Sequence, residues 1–501
     1  MIWKNFQNAW YRFGRIFSIF AIIGPTSGLA NDAEILRPTT DFSQPEKYEL
    51  NSAGALTSHN YPNNNAFSQS SPNLSFEREL SFKVGNGLFK RLWVSAPAST
   101  QTSDGLGPLF NSRSCQRCHI KDGRGRPPSE DLSSDLSTSM VMRLSIPPQT
   151  AHQQTLIESG KINAVPEPTY GSQLQNFGIQ GHRSEGRIQI SYANVPLDLW
   201  GGETIYLQKP TYSVTNKGYG AFHPSIMVSP RVAPQMIGLG LLEAIAEKDI
   251  LTLADPDDTD GDGISGRPNW VWSASLNRTA LGRFGLKAGK ATMTDQTSAA
   301  FSRDIGISSP LHPIAYGDCT EKQPFCQQAP NGNSKHHDNL EASQRVVDLV
   351  TFYSRNLAVP ARRDVSSEDV LAGKQKFYEA GCISCHVPKF ITGRRIRNLP
   401  EQQRQLIWPY TDLLLHDMGE GLADNSQEGR ASGREWKTPP LWGIGLTKTV
   451  SDHTFFLHDG RARNLTEAIL WHGGEAEKAK NIFKEMSPAD RKNIISFLSS
   501  L

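Results

Sequence analysis

Two segments with the pattern C-x-x-C-H constrain this chain more than any other feature of its sequence. They are Cys115-Gln116-Arg117-Cys118-His119 and Cys382-Ile383-Ser384-Cys385-His386. Two thiols at this spacing can form thioethers to both vinyl groups of one haem, and the His that follows can bind its iron. One copy alone could serve a dithiol redox site instead, but two copies favour haem attachment. The sequence therefore predicts two covalently bound haem c groups, held by the four cysteines, with His119 and His386 as iron ligands.

A structural zinc ion shared by the two C-x-x-C pairs is the weaker alternative. The pairs lie far apart in the sequence, and a His follows each of them directly.

The first 30 residues have the pattern of a secretory signal peptide. Three basic residues precede or flank a short apolar run over 16–23, which Gly24 and Pro25 end. Gly28 and Ala30 occupy the −3 and −1 positions of a cleavage site. An uncleaved anchor helix is the alternative. Haem attachment and export together point to the periplasm, and no later segment is apolar enough to span a membrane, so we expect no stable span after cleavage.

The composition is that of a globular protein, because 37% of the 501 residues are hydrophobic and 20% are charged. This length is enough for two to four domains. Loss of the predicted signal peptide, with its three basic residues, would change the formal net charge from +2 to −1. We therefore expect no nucleic-acid partner. The two cysteines outside the pentapeptides, Cys319 and Cys326, are expected to form a local disulfide in an oxidising compartment.

The pattern of apolar residues and breakers divides the chain into four parts. After the signal peptide, residues 31–75 are rich in Asn, Ser, Pro and Thr and are predicted to form an N-terminal arm. Residues 76–338 are predicted to form the first haem domain, with short strands near 187–192 and 203–207, and residues 339–501 the second. The predicted fold class is mainly α, with two cytochrome c-like haem domains and a middle insertion of short β-strands and loops.

Helix signals support the second domain in particular. Ser366 or Ser367 can cap a helix that leads to the second pentapeptide, and Ser487 can cap a final helix with Pro488 at its first position. Further helical spacing covers 76–94, 233–251 and 339–358.

An acidic loop lies between the pentapeptides. Asp258, Asp260, Asp262 and Gly263 have the D-x-D-x-D-G spacing of a calcium loop, in which alternate carboxylates converge on one cation. The twelfth position holds Asn269 instead of the usual Glu, so this is not a complete EF-hand. A calcium site and an acidic surface turn both remain open. Behind the first pentapeptide, Arg124 and Arg126 could pair with haem propionates or lie in a solvated turn.

Residues 75–501 resemble the bacterial di-haem oxidoreductases that carry the name of thiol oxidoreductases. These are relatives of the di-haem cytochrome c peroxidases and of MauG-type enzymes. The resemblance depends on the following segments: LFN at 109–111, DGDGISGR at 260–267, GCISCHVP at 381–388, YTDLLLHDMGEG at 410–421, TPPLW at 438–442 and LHDGR at 457–461. The word "thiol" has no support here, because each cysteine already has another predicted role.

The resemblance implies that the two haems have different roles. One has an open axial site for peroxide, whereas the other has six ligands and receives electrons from a donor protein. Met418 is the predicted sixth ligand of the second haem, with His416 as the next choice and an ordinary core role for Met418 as the alternative. Most of the remaining histidines, such as His223, His312, His458 and His472, are expected to be structural.

By the same resemblance, Asp304 is the acid–base carboxylate beside the first haem, and Gln296 orients the bound ligand. The alternative for Asp304 is a surface residue. The peroxidases also place a Trp between their haems, and here Trp270 and Trp272 are the candidates, although aromatic core residues would have the same pattern.

The predicted function is that of a peroxidase-like oxidoreductase. It would reduce peroxide with electrons from a small donor protein, a cytochrome c or a cupredoxin. A MauG-like or oxygenase-like enzyme that oxidises an organic or protein substrate is one alternative. A non-catalytic di-haem electron carrier, with both irons six-coordinate, is the other.

Overall fold

The computed structural model describes residues 27–60, 62–129, 139–394, 396 and 399–501, and gives no side chains for 27–31. Of the predicted signal peptide, residues 1–26 lie outside these ranges. The chain divides into two compact units, residues 1–37 and residues 38–501. The first contains helix α1 (Ser27–Leu36), and both haem pentapeptides belong to the second. Within the described ranges, no helix has the length and apolar character that a bilayer crossing requires.

The second unit contains short and medium-length helices. They are α2 (Phe76–Lys90), α3 (Cys115–Cys118), α4 (Ala151–Glu158), α5 (Leu239–Ala244), α6 (Glu247–Leu251), α7 (Met293–Ala300), α8 (Pro324–Gln327), α9 (Gln344–Arg355), α10 (Glu368–Glu379), α11 (Thr447–Ser451), α12 (Leu465–Leu470), α13 (Glu477–Glu485) and α14 (Pro488–Ser500). As predicted, the hydroxyls of Ser367 and Ser487 cap α10 and α14 by accepting a hydrogen bond from a backbone N–H of the first turn. The spacing over 233–251 corresponds to two helices, α5 and α6.

The strands form small sheets between and beside the helices. They are β1 (Thr57–Ser58), β2 (Leu109–Phe110), β3 (Met140–Ser145), β4 (Phe177–Gly178), β5 (Arg187–Leu199), β6 (Glu203–Thr215), β7 (Met227–Val232), β8 (Trp270–Ser273), β9 (Arg278–Leu281), β10 (Val359–Pro360), β11 (Phe390–Ile391), β12 (Leu406–Ile407), β13 (Leu415–Asp417) and β14 (Glu435–Lys437).

Every sheet in the described residues is a two-stranded pair. The longest is the antiparallel hairpin β5–β6, whose turn at Gly201 and Gly202 confirms the predicted strands and their connection. Helix accounts for 30% and strand for 18% of the structure, so the fold combines helices, small sheets and long loops. The mainly α class with two cytochrome c-like domains stays a prediction.

Two pairs of helices cross at a glycine. A Cβ atom at Gly85 of α2 would collide with the carbonyl oxygen of Leu349 in α9, and one at Gly373 of α10 would collide with that of Asn493 in α14. Only a residue without a side chain permits this approach of two backbones. Helix α9 falls in the predicted second domain, yet it packs against α2, so a boundary at residue 339 does not separate the two helix pairs.

The predicted N-terminal arm contributes to the core of the second unit. Leu56 and Phe67 are buried in one hydrophobic cluster with Trp442. Strand β1 pairs in parallel with β10, in the register Thr57 to Val359. These contacts fix the arm against the segment that joins α9 to α10.

Candidate haem and catalytic site

The first pentapeptide forms one helical turn, α3, and its His follows that turn in a partly buried position. His119 Nδ1 lies 2.8 Å from the carbonyl oxygen of Pro234, to which it donates a hydrogen bond. The other ring nitrogen, Nε2, then carries the lone pair that an iron ion needs. Burial lowers the pKa of His119, which favours the neutral, ligating form.

The second pentapeptide repeats this arrangement. Helix α10 ends at Gly381, whose φ of +80° turns the chain into a 3₁₀ turn over Cys382–Ser384. His386 Nδ1 lies 2.9 Å from the carbonyl oxygen of Tyr410, so its Nε2 is also left for a metal. Burial lowers the pKa of His386 to about 4.

An aromatic ring one helical turn after each crossing glycine faces the ligating His. The ring centroid of Phe89 lies 6.3 Å from that of His119, and that of Phe377 lies 6.2 Å from that of His386. The spacing G-x-x-x-F before each pentapeptide is therefore a short internal repeat. The two pentapeptides do not reveal it in the sequence, because Phe89 precedes Cys115 by 26 positions and Phe377 precedes Cys382 by 5.

The residues around the pentapeptides fit haem groups. The four cysteines keep their thiols, which thioether attachment requires. Burial raises the pKa of Cys115 and of Cys382 to about 12, so these sites do not favour the reactive thiolate of a dithiol redox centre. Among the described residues, the indole nitrogens of Trp408 and Trp471 are buried without a hydrogen-bond partner in the hydrophobic cluster against which Cys382 packs. They are therefore available to donate to a polar group of a bound haem.

Asp304 lies beside the first haem site. It belongs to a π-helical turn, Phe301–Ile305, which continues α7, and such turns are frequent at functional sites. Its carbonyl oxygen accepts hydrogen bonds from Asn111 N (2.9 Å) and Ser112 N (3.0 Å), just before the first pentapeptide. After burial, the charge of Asp304 is the next cause that raises the pKa of Cys115 and Cys118. The predicted proximity to the first haem is present, whereas the acid–base role stays a prediction.

A glutamine holds the Asp304 carboxylate, whereas the predicted role of Gln296 in orienting the bound ligand stays a prediction. Gln173 Nε2 donates to Asp304 Oδ1 over 2.8 Å and to Asn111 Oδ1 over 2.5 Å. Gln296 lies on α7, and no hydrogen bond joins its side chain to Asp304 in the described residues. Gln173 comes from a loop far away in the sequence, and no local pattern marks it. Its own Oε1 is buried without a partner among the described residues.

Around the second haem site, the structure separates the candidate sixth ligands. Met418 packs against the hydrophobic cluster that also contacts Cys382. His416 lies between two carboxylates, with Nε2 at 2.7 Å from Asp412 Oδ2 and Nδ1 at 2.6 Å from Glu475 Oε2. Although burial acts in the opposite direction, these carboxylates raise the pKa of His416 well above its usual value. A cationic ring with both nitrogens engaged is a poor iron ligand, so Met418 stays the prediction.

His472 is a further candidate ligand of the second haem. Its Nδ1 donates to the carbonyl oxygen of Ala468 over 2.7 Å, which leaves Nε2 with the lone pair, as in His119 and His386. Burial lowers the pKa of His472, which favours the neutral form of its ring.

The ring of Trp436 contacts the imidazole of His458 and the ammonium group of Lys287. His458 stacks on it with ring centroids 3.9 Å apart, and Lys287 Nζ lies 4.4 Å from its centroid. Trp272, one of the predicted relay residues, instead lies under Lys161 Nζ, which is 3.3 Å from its centroid, and Trp270 packs against another core cluster.

The other predicted features have mixed outcomes. The structure contains the disulfide between Cys319 and Cys326, with Cα atoms 6.2 Å apart. The Arg124 side chain donates to the carbonyl oxygens of Phe455 (2.9 Å) and Leu457, so it does not lie in a solvated turn.

In the acidic loop, the carboxylates of Asp255, Asp258 and Asp260 converge to within 4.8 Å of one another. Asp262 lies outside this group and accepts a hydrogen bond from Ile264 N. In the described ranges, Asp255, Asp258 and Asp260 form the one group of three or more potential metal ligands, so the two C-x-x-C pairs share no zinc site there. Calcium binding stays a prediction.

The chain was compared with known proteins. A family model described as "Di-haem oxidoreductase, putative peroxidase" matches residues 49–501. No curated protein matches. Among solved structures, hydrazine synthase of Kuenenia stuttgartiensis, pressurised with xenon, aligns with 76% of this chain and 94% of its own, at 13% identity. The TM-score of that alignment is 0.25, too low to carry an argument about fold. The family match covers both pentapeptides and nearly the whole second unit, and the chain therefore belongs to the di-haem oxidoreductase family.

Proposed function

We propose that this protein is a periplasmic c-type di-haem enzyme that reduces peroxide at its first haem. Electrons would enter through the second haem from a small donor protein, a cytochrome c or a cupredoxin. The family supports di-haem oxidoreductase chemistry. The disulfide between Cys319 and Cys326 supports an oxidising compartment. The position of Asp304 beside the first pentapeptide is the observation that carries the proposed reaction.

Cys115, Cys118 and His119 would hold the first haem, and Cys382, Cys385 and His386 the second. When bound, these groups supply the electron-transfer chemistry that peroxide reduction requires. The reaction takes up two electrons and two protons per hydrogen peroxide and releases two molecules of water. The two electrons come from the donor protein.

Asp304 would move a proton between the two oxygens of peroxide. Cleavage of the O–O bond is easier when a positioned base takes a proton from one oxygen and returns it to the leaving one. Gln173 fixes one carboxylate oxygen of Asp304 from a backbone segment that is itself held by Asn111. This leaves Oδ2 as the atom that would accept and return the proton.

Trp436 would carry electrons between the two haem sites. It is buried in the cluster that contains Phe377 and contacts Cys382, next to the second haem. Its ring also lies under Lys287 and Arg231, at 4.4 and 5.9 Å from the ring centroid. An aromatic ring at this position shortens the distance that an electron must cross through saturated groups.

The test is peroxide-dependent oxidation of reduced cytochrome c by the purified two-haem protein. Asp304→Asn removes the proton acceptor and keeps the shape, and we expect kcat to fall by roughly 10²–10⁴-fold. Asp348→Asn, on the exposed face of α9, is the matched control and should leave kcat unchanged. Equal activity of Asp304→Asn and wild type would refute the acid–base role. UV-visible and EPR spectra without any high-spin iron in both the oxidised and the half-reduced protein would refute peroxidase chemistry and favour the electron carrier.

A further inference from the structure

Three cationic side chains surround the region of Asp304 without a direct anionic partner. Arg143 lies on β3, Lys290 follows the turn after β9, and Arg303 directly precedes Asp304 in the π-helical turn. All three are partly buried. Throughout the described ranges, no carboxylate oxygen lies within 4.0 Å of their charged nitrogens, and Arg143 Nη1 is buried without any hydrogen-bond partner.

The backbone directs Arg143 towards Asp304. Arg143 forms an isolated antiparallel bridge with Gln173, and bridge partners project their side chains to the same side of a sheet. On that side, Gln173 donates to Asp304 Oδ1. On the opposite side of β3, Met142 and Leu144 are buried in a hydrophobic cluster. Arg143 therefore belongs to the polar wall that also holds Asp304.

Two neighbouring cations, unlike these three, each form a direct ion pair with a carboxylate. Arg231 Nη1 pairs with Glu428 Oε2 at 2.6 Å, and Lys287 Nζ pairs with Asp424 Oδ1 at 2.8 Å. These two carboxylates therefore pair directly with Arg231 and Lys287, and not with Arg143, Lys290 or Arg303.

The remaining nearby carboxylates are already hydrogen-bonded to neutral donors. Asp318 Oδ2 accepts from Ser172 N at 2.5 Å and from the Ser172 hydroxyl at 2.9 Å. Asp295 accepts from the hydroxyls of Ser273 (2.6 Å) and Thr292 (2.8 Å). Within the described ranges, none of these carboxylates forms a direct ion pair with Arg143, Lys290 or Arg303, although their charges act on these side chains over longer distances.

The positive charge of Arg303 acts with burial to lower the pKa values of its cationic neighbours. Burial lowers the pKa of Lys290 to about 8, and the charge of Arg303 lowers it further. Burial also lowers the pKa of Arg143 to about 10, with Arg303 as the next cause. Nearby His312 is kept neutral, because burial, Lys290 and Arg303 lower its pKa to about 4. Like charges held together in a partly buried site are stabilised when an anion binds between them.

We propose that Arg143, Lys290 and Arg303 form a binding site for a carboxylate group beside Asp304. A guanidinium matches a carboxylate with two parallel hydrogen bonds, and a Lys adds a third donor. The carboxylate comes either from a propionate of the first haem or from a small organic acid that occupies the site as substrate. The organic-acid source rests on the proposed function, because it places the substrate next to the catalytic carboxylate.

The two sources are separated by one binding and one spectroscopic measurement on the purified two-haem protein. The probe for a free acid is radiolabelled succinate in equilibrium dialysis. The probe for a propionate is the resonance Raman propionate bending band. Both are measured for wild type, Arg143→Gln, Arg303→Gln and Arg303→Lys, with Arg278→Gln on the exposed edge of β9 as the matched control.

If a free acid occupies the site, wild type binds succinate saturably and both Gln variants bind it roughly tenfold or more weakly. Arg303→Lys and Arg278→Gln retain binding, which excludes a general folding defect. If a propionate occupies the site, succinate does not bind, and the propionate band shifts in both Gln variants but not in Arg278→Gln. Absence of both succinate binding and a band shift overturns the proposal.

Peroxide turnover measured on the same samples separates this proposal from the proposed function. Succinate binding or a band shift in a protein without peroxide turnover would refute the peroxidase function and leave the carboxylate site in place. Peroxide turnover without succinate binding and without a band shift would refute the carboxylate site and leave the peroxidase function in place.

Discussion

Gln173 Nε2 donates a hydrogen bond to Asp304 Oδ1 over 2.8 Å, although 131 positions separate the two residues in the sequence. The same amide nitrogen reaches Asn111 Oδ1 at 2.5 Å, and Gln173 is fully buried. Gln173 is therefore fixed from two directions, and it orients the carboxylate next to the first haem pentapeptide.

Replacement of Gln173 should affect catalysis, because this side chain orients Asp304. Gln173→Ala frees the carboxylate of Asp304 to rotate, and misplacement of a catalytic group by about 1 Å can cost on the order of 100-fold. We expect kcat for peroxide reduction to fall by roughly tenfold to 100-fold, while KM for the donor cytochrome stays unchanged. Gln344→Ala on the exposed surface of α9 is the matched control, with kcat expected within about twofold of wild type.

A kcat that falls equally in Gln344→Ala, or that stays unchanged in Gln173→Ala, would refute the orienting role of Gln173. A parallel rise in KM for the donor would show instead that Gln173→Ala disturbs the whole fold, since donor docking does not involve Asp304.

Local rules explain why parts of this protein were predictable. The pentapeptides, the caps Ser367 and Ser487 and the disulfide Cys319–Cys326 each depend on residues within a few positions of one another. The strands of the hairpin β5–β6 are also marked locally, by β-branched residues on both sides of two glycines.

Contacts across long sequence separations were not predictable in this way. Gln173 has no pattern that links it to Asp304, and α9 gives no signal that it will pack on α2 and not on α10. The acidic loop is an intermediate case. Its spacing indicated Asp258 and Asp260 correctly as a converging pair, but Asp255 joins them in place of Asp262 because the turn brings it back.

Met418 should be the sixth ligand of the second haem. Thioether ligation makes the iron low-spin and raises its reduction potential. Met418→Ala should therefore yield a high-spin EPR signal from the second haem and a lower midpoint potential in a redox titration. His472→Ala is the matched comparison, because His472 also has a ring nitrogen left for a metal, and it should leave both properties unchanged. The opposite pattern would assign the ligand to His472.

Replacement of two glycines in α2 by alanine should change the free energy of unfolding in opposite directions. A Cβ at Gly85 would collide with Leu349 of α9, whereas a Cβ at Gly87 would meet nothing within 4 Å. Overpacking typically costs about 1–3 kcal/mol, so Gly85→Ala should lower the free energy of unfolding by at least that amount. Gly87→Ala should raise it by roughly 0.5–1 kcal/mol, because alanine has the higher helix propensity. Urea unfolding followed by circular dichroism measures both.

Destabilisation by both substitutions to the same extent would contradict the observed crossing, since only one of the two sites faces a neighbouring backbone. Gly373→Ala should behave like Gly85→Ala, because a Cβ there would collide with Asn493 of α14.

Glu428 should make the protein sensitive to acid. Burial alone would raise the pKa of this carboxyl, but Arg231 and Arg143 outweigh burial and hold the pKa at about 2, compared with 4.5 for an ordinary Glu. The unfolded chain therefore binds a proton between pH 4.5 and about 2 while the folded protein does not, so stability falls as the pH falls through this range. The shift corresponds to at most roughly 3 kcal/mol.

Glu428→Gln removes this dependence. Arg231 then loses its partner at 2.6 Å, so the variant should be less stable than wild type at neutral pH. The difference between the two free energies of unfolding should narrow as the pH falls from about 5 to about 2.5, because only wild type loses the contribution of the carboxylate. Glu420→Gln is the control, since Glu420 pairs with Arg434 on the exposed surface and should show a constant difference. A difference for Glu428→Gln that stays constant across this range would mean that the Arg231 and Arg143 charges do not act on Glu428, and it would weaken the case that unpartnered cations gather beside Asp304.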